Sequence, residues 1–175
     1  MKLAACALAV AALTTACDDH DHADTHAHAD AAGGEAAAEN VEAEGCEHLA
    51  EGPATALTAA APGSAEVPAV SDDHTRYDIT VATADGVTAG VVEFASDAAG
   101  EHSLFFNTEV GLEVTGPDGA VVPVDHAHTS STLCAEIKYW AIYDLDVGTY
   151  RLRLSPAQPG VVGLVIEAGH GHALQ

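Results

Sequence analysis

Positive charge is nearly absent from this 175-residue chain: 5 Lys and Arg stand against 27 Asp and Glu, a formal net charge of −22. That balance removes the basic footprint of a nucleic-acid-binding protein. It also repels anionic lipid head groups and concentrates cations near the surface. Aromatic residues are few, at 5%, and they lie after residue 76, which places the packed core in the C-terminal two thirds. A single methionine excludes a Met-rich Cu(I) signature. The Ala-rich apolar run Leu3–Leu13 falls short of the roughly 20 residues a membrane-spanning helix needs. Catalytic motifs are missing as well: no HExxH, no phosphate loop and no dinucleotide fingerprint. The serines at 64, 71, 96, 103, 130 and 131 have no nucleophile-elbow context. The reading is therefore of a protein that is not an enzyme.

Histidine is abundant instead. Eight of the 11 histidines fall in four His-x-His pairs: His20/His22, His26/His28, His126/His128 and His170/His172. Random placement would give about one such pair. Imidazole is the commonest biological metal ligand, and His-rich tracts are read compositionally as metal-binding.

The first 16 residues have the pattern of an export signal. Lys2 supplies a positive start, Leu3–Leu13 the apolar run, and Thr14-Thr15-Ala16 small residues leading to Cys17. Leu13-Thr14-Thr15-Ala16-Cys17 resembles a bacterial lipoprotein lipobox, although Thr14 replaces the usual leucine and Leu13 lies one place further out. The resemblance implies removal of residues 1–16, Cys6 included, and acylation of Cys17. Two or three acyl chains, at about 0.8 kcal/mol per buried methylene, make a stable anchor in the cell envelope. The alternative is an ordinary signal peptide cut after Ala16, with Cys17 free.

Residues 17–45 read as a disordered tether. Asp18–Asp30 contains only polar residues and alanine, Gly33-Gly34 follows, and Glu35–Glu44 is Ala/Glu-rich with Val41 its one larger apolar residue. Such a segment cannot bury enough area to offset its ordering entropy. Transient helix is expected in the Ala/Glu part, but like charges and the missing apolar face argue against a docked helix. Two cysteines remain, Cys46 and Cys134. In an exported protein an even pair reads as a disulfide. Closing this loop is worth about 4.5 kcal/mol by the chain-entropy account. The competing reading is two thiolate metal ligands, which lack a second cysteine at zinc-finger spacing.

From residue 46 to 168 short apolar runs alternate with period two between Gly, Pro, Asp and Asn breaks. Expected strands are 54–60, 76–82, 89–95, 102–107, 111–115, 120–125, 133–143, 149–155 and 161–168. Gly116-Pro117-Asp118-Gly119 is the strongest turn signal. Nine short strands at this spacing predict an all-β fold, an antiparallel β-sandwich of jelly-roll or immunoglobulin-like type, followed by a His-containing tail at 169–175. The texture of Gly111–Gly119 and of Leu145–Leu154 resembles pre-peptidase C-terminal modules over residues 76–168. That resemblance implies an accessory role without fixed chemistry.

On the tether, His20, His22, His26 and His28 interleave with Asp18, Asp19, Asp21, Asp24 and Asp30. This donor mixture suits Zn²⁺, and also Cu²⁺ or Ni²⁺. The segment is similar to the His-rich loops of periplasmic zinc-uptake proteins. In a strand, residues i and i+2 share a face, so His126 and His128 could share an ion with Asp125 as a partner. With His170 and His172 they would make a four-histidine site if both pairs lay at one end of the sandwich. Glu47-His48 and Asp72-Asp73-His74 are further ligand candidates that read more simply as surface clusters. His102, alternating with Leu104 and Phe106, reads as a half-buried strand residue, and Trp140 as a packing anchor. The function these features favour is zinc capture or buffering by an envelope lipoprotein serving a metal transporter or receptor. Two alternatives remain: a non-catalytic sandwich that contacts protein or glycan, and a copper or nickel accessory protein.

Overall fold

Alternation in the sequence becomes two facing sheets in the computed structural model, which describes residues 33–169. One helix, α1 (Gly33–Glu51), precedes twelve strands. These are β1 (Ala54–Thr58), β2 (Ala69–Val70), β3 (Arg76–Val81), β4 (Thr83–Ala84), β5 (Val87–Thr88) and β6 (Gly90–Ser96). They continue with β7 (Gly100–Phe106), β8 (Val110–Thr115), β9 (His126–His128), β10 (Tyr139–Leu145), β11 (Gly148–Pro156) and β12 (Gly160–Ala168). A six-stranded sheet runs β1-β3-β12-β7-β10-β9, a four-stranded sheet runs β2-β6-β11-β8, and β4-β5 form a small hairpin. Pairing is antiparallel except at two edges, where β1 lies parallel to β3 and β2 parallel to β6. The expected sandwich is present.

Period two decides what each face meets. On β12, Val162, Leu164 and Ile166 point into the main core; on β7, Leu104 and Phe106 do the same. Phe94, Leu152 and Leu154 face them from the four-stranded sheet. The intervening residues Val165 and Phe105 point the other way, into a second apolar cluster with Leu49, Cys134 and Ile137. That cluster explains why β12 and the Leu104-Phe105-Phe106 end of β7 read as continuous apolar runs: both of their faces are covered.

The cover is α1, which overlaps the expected undocked tether at residues 33–45; residues 17–32 lie outside the described residues. The helix starts at Gly33, and Val41, Cys46 and Leu49 pack into the second cluster. A stripe this narrow has little amphipathic signal, which is why the pattern was not legible. Gly45 makes the approach possible: a Cβ there would collide with the Phe105 ring. Cys46 is bonded to Cys134, with Cα atoms 5.9 Å apart across a sequence separation of 88, so the helix is tied to the loop before β10. No helix among the described residues is long and apolar enough to cross a membrane.

Two strand expectations change. Residues 120–125 form only an isolated bridge, Thr115 with Val121, because Pro123 has no N–H to give a ladder. The long strand expected at 133–143 begins only at Tyr139. Before it, the Ser131 hydroxyl accepts from the N–H groups of Leu133 and Cys134, at 2.9 and 2.8 Å, and holds the chain in a turn. His126 and His128, expected at a strand end, form the short edge strand β9.

Candidate metal centre

The residues that meet are not the His-x-His pairs. Glu167 points from β12 to the helix-covered face of the six-stranded sheet, next in alternation to Val165. It is 2% exposed. Its two carboxylate oxygens are taken by two imidazoles: Oε1 lies 2.5 Å from His48 Nδ1 and Oε2 lies 3.1 Å from His74 Nδ1. The His48 and His74 rings are 4.8 Å apart, centroid to centroid. Ligand atoms from the three residues all lie within 4.8 Å of one another.

Each side chain is placed by a separate device. His48 sits in the last turn of α1, two residues after the disulfide cysteine. The Arg76 guanidinium donates to the Leu49 carbonyl at 2.9 Å, satisfying one of the helix's unpaired C-terminal carbonyls. Arg76 also pairs with Asp78 at 3.1 Å, which fixes the helix end to β3. His74 lies in the loop before β3 with a left-handed backbone, φ 58°. Histidine enters that region more readily than most residues, but it is a strained position. The loop is held by Tyr77, whose hydroxyl meets Ser71 Oγ at 2.7 Å and accepts from Ser71 N–H at 3.2 Å. A hydrogen bond from Ser71, with help from Thr75 and Tyr77 and against slight burial, holds the Asp73 carboxyl below its ordinary range.

A buried carboxylate needs a positive partner. Glu167 has two imidazoles, which serve either as proton carriers or as co-ligands of a cation. Two histidines and one glutamate are a known zinc donor set that leaves a fourth position open. Zinc-ligand bonds of about 2.0–2.2 Å in a tetrahedral shell place ligand atoms about 3.4 Å apart, so the 4.8 Å spread must close by about 1 Å or more when an ion binds. His74, 63% exposed on its loop, is free to supply that movement.

His20, His22, His26, His28, His170, His172 and the lipobox Cys17 lie outside the described residues. His126 and His128 are fully displayed on β9. The His128 ring stacks on Trp140 at 4.5 Å, and Trp140 in turn stacks on Phe105 at 5.7 Å. Asp125, expected to support them, instead accepts from the Asp144 N–H at 2.9 Å. Among the described residues, only His48, His74 and Glu167 form a cluster of three or more metal donors. His102 is buried rather than half-buried: its Nδ1 meets the Gly100 carbonyl at 2.9 Å and its ring stands edge-on to Phe94. Cys46 and Cys134 form the disulfide and are not thiolate ligands.

Glu167 received no attention from the sequence. Its signal was a lone carboxylate in the apolar run Val161–Ala168. In a strand covered on both faces, such a residue must find a partner. No protein-family model matches the chain, and no curated protein matches it.

Proposed function

We propose that this protein binds a divalent transition metal, zinc in preference, at a centre made by His48, His74 and Glu167. The observation that carries the reading is the buried Glu167 carboxylate with an imidazole on each oxygen. Three protein donors leave the ion an open position and exchangeable. That suits capture, buffering and transfer better than permanent structural binding. The net charge of −22 raises the cation concentration at the surface. His20, His22, His26 and His28 would collect ions loosely on the leash, at an ordering cost that keeps their affinity moderate. Anchored through acylated Cys17, the protein would hold metal at the bacterial envelope for a transporter or receptor.

Calorimetric titration with Zn²⁺ tests this at about pH 7.4 and about pH 5.5, since ligand imidazoles must be neutral. Binding is expected at the higher pH and its near loss at the lower. Titration of the His48→Ala/Glu167→Gln variant should lose the tightest site and keep the weaker ones. Equal titration curves for the variant and the native chain would remove the centre from the proposal. Competition with Cu²⁺ and Ni²⁺ then separates zinc from the copper and nickel readings, because Cu²⁺ outranks Zn²⁺ at unselective nitrogen and oxygen sites.

A further inference from the structure

We infer that β9 is the seam of a metal-bridged homodimer, in which one zinc ion is held by His126 and His128 of two copies of this chain. The inference rests on the transition-metal reading above but uses a different part of the molecule. Among the described residues, β9 is the last strand of the six-stranded sheet, paired with β10 on one side only. Its three residues are all exposed. His126 and His128 stand opposite Ile142 and Trp140, so both imidazoles rise from one face, about 6.7 Å apart along the strand. Stacking on Trp140 restricts the His128 ring before any ion arrives.

Two imidazoles are half of a tetrahedral zinc shell, and among the described residues no third donor clusters with them. Asp125 turns one carboxylate oxygen to the Asp144 N–H and forms no donor cluster with the pair. Glu167 is three strands away in the row Glu167–Ser103–Ile142–His126, or about 14 Å at the usual strand spacing. A second copy completes the shell by symmetry. When two β9 strands pair antiparallel about a two-fold axis at Ala127, His126 of each chain faces His128 of the other. All four imidazoles then share a face, with directly opposed Cβ atoms about 5 Å apart.

The same features make the pairing conditional on metal. A three-residue edge is too short to hold two chains by backbone hydrogen bonds alone. Two copies at −22 each repel one another. A divalent ion adds ligand bonds and positive charge at the seam.

Sedimentation velocity and bound-zinc analysis test this with Zn²⁺ alone or with EDTA. The chain used carries His20→Ser, His22→Ser, His26→Ser, His28→Ser, His170→Ser and His172→Ser, so that only histidines of the folded domain report. The expected result is a monomer in EDTA and a species of twice that mass in zinc. Adding His126→Asn and His128→Asn should keep it monomeric in zinc while zinc stays bound at the His48 centre. A zinc-loaded monomer before those two changes, or a dimer that survives them, overturns the inference and leaves the metal reading intact. Absence of bound zinc overturns both.

Discussion

At Glu167 a single side chain is a buried partner of two imidazoles and, in the function proposed, a metal ligand; substitution separates the two. Glu167→Gln keeps the shape and removes the charge, so zinc should bind about tenfold more weakly or worse, about 1.4 kcal/mol by titration calorimetry. His74 offers a cleaner division, because its φ of 58° is a backbone conformation that glycine adopts without penalty. His74→Gly should therefore lower zinc affinity by a similar factor while leaving the metal-free unfolding midpoint in urea unchanged or slightly raised. A large drop in metal-free stability would mean that the imidazole serves mainly to neutralise Glu167. His102→Ala has the opposite signature: loss of a buried ring against Phe94 should cost about 2–4 kcal/mol in urea unfolding with zinc affinity retained. At this scale the sequence was a partial guide. His48 and His74 were visible as acid-flanked histidines, but nothing in one dimension joins residues 48, 74 and 167. Local patterning favoured the adjacent pairs; of these only His126/His128 lies among the described residues, and no third donor clusters with it there.

The element that matters most is α1, which brings His48 to β12 and closes the second core. Its placement depends on three local facts: Gly45 against Phe105, the bond from Cys46 to Cys134, and Arg76 on the Leu49 carbonyl. Reducing the disulfide, or making the Cys46→Ser/Cys134→Ser pair, should cost about 2–5 kcal/mol of stability by denaturant unfolding. It should also weaken zinc binding, because His48 is two residues from the released cysteine. Unchanged zinc affinity in the double serine variant would show that the helix end is held by Arg76 and apolar packing alone. The strands were largely legible, since period-two alternation reports burial directly. The helix was not: a docked helix with few apolar contacts differs from a solvated Ala/Glu spacer only in what lies beneath it.

Across the whole molecule, charge and protonation set the conditions under which the fold and the centre persist. Zinc that binds only the folded chain adds about 2.7 kcal/mol at a hundred times its Kd, so the thermal midpoint should rise by several degrees at neutral pH. The rise should shrink as pH falls, because protons compete with zinc for imidazole nitrogens. At the alkaline end, burial and then the neighbouring Tyr139 push Tyr143 up to about 12 from 10.0. Below 10 both folded and unfolded chains keep that proton. Above it the unfolded chain ionises first, so stability should fall as pH rises from about 10 towards 12, as urea midpoints across that range would show. Composition and periodicity by themselves determined the all-β class, the turns and a strongly negative net charge, because alternation and turn chemistry act within a few residues. The pairing of Cys46 with Cys134 was expected through the lipobox resemblance, beside a thiolate-ligand alternative that only the structure removed. Which donors meet was decided only by tertiary structure. Sheet order and the docking of α1 bring residues 48, 74 and 167 within bonding distance, and no short-range pattern records a contact made across 119 residues.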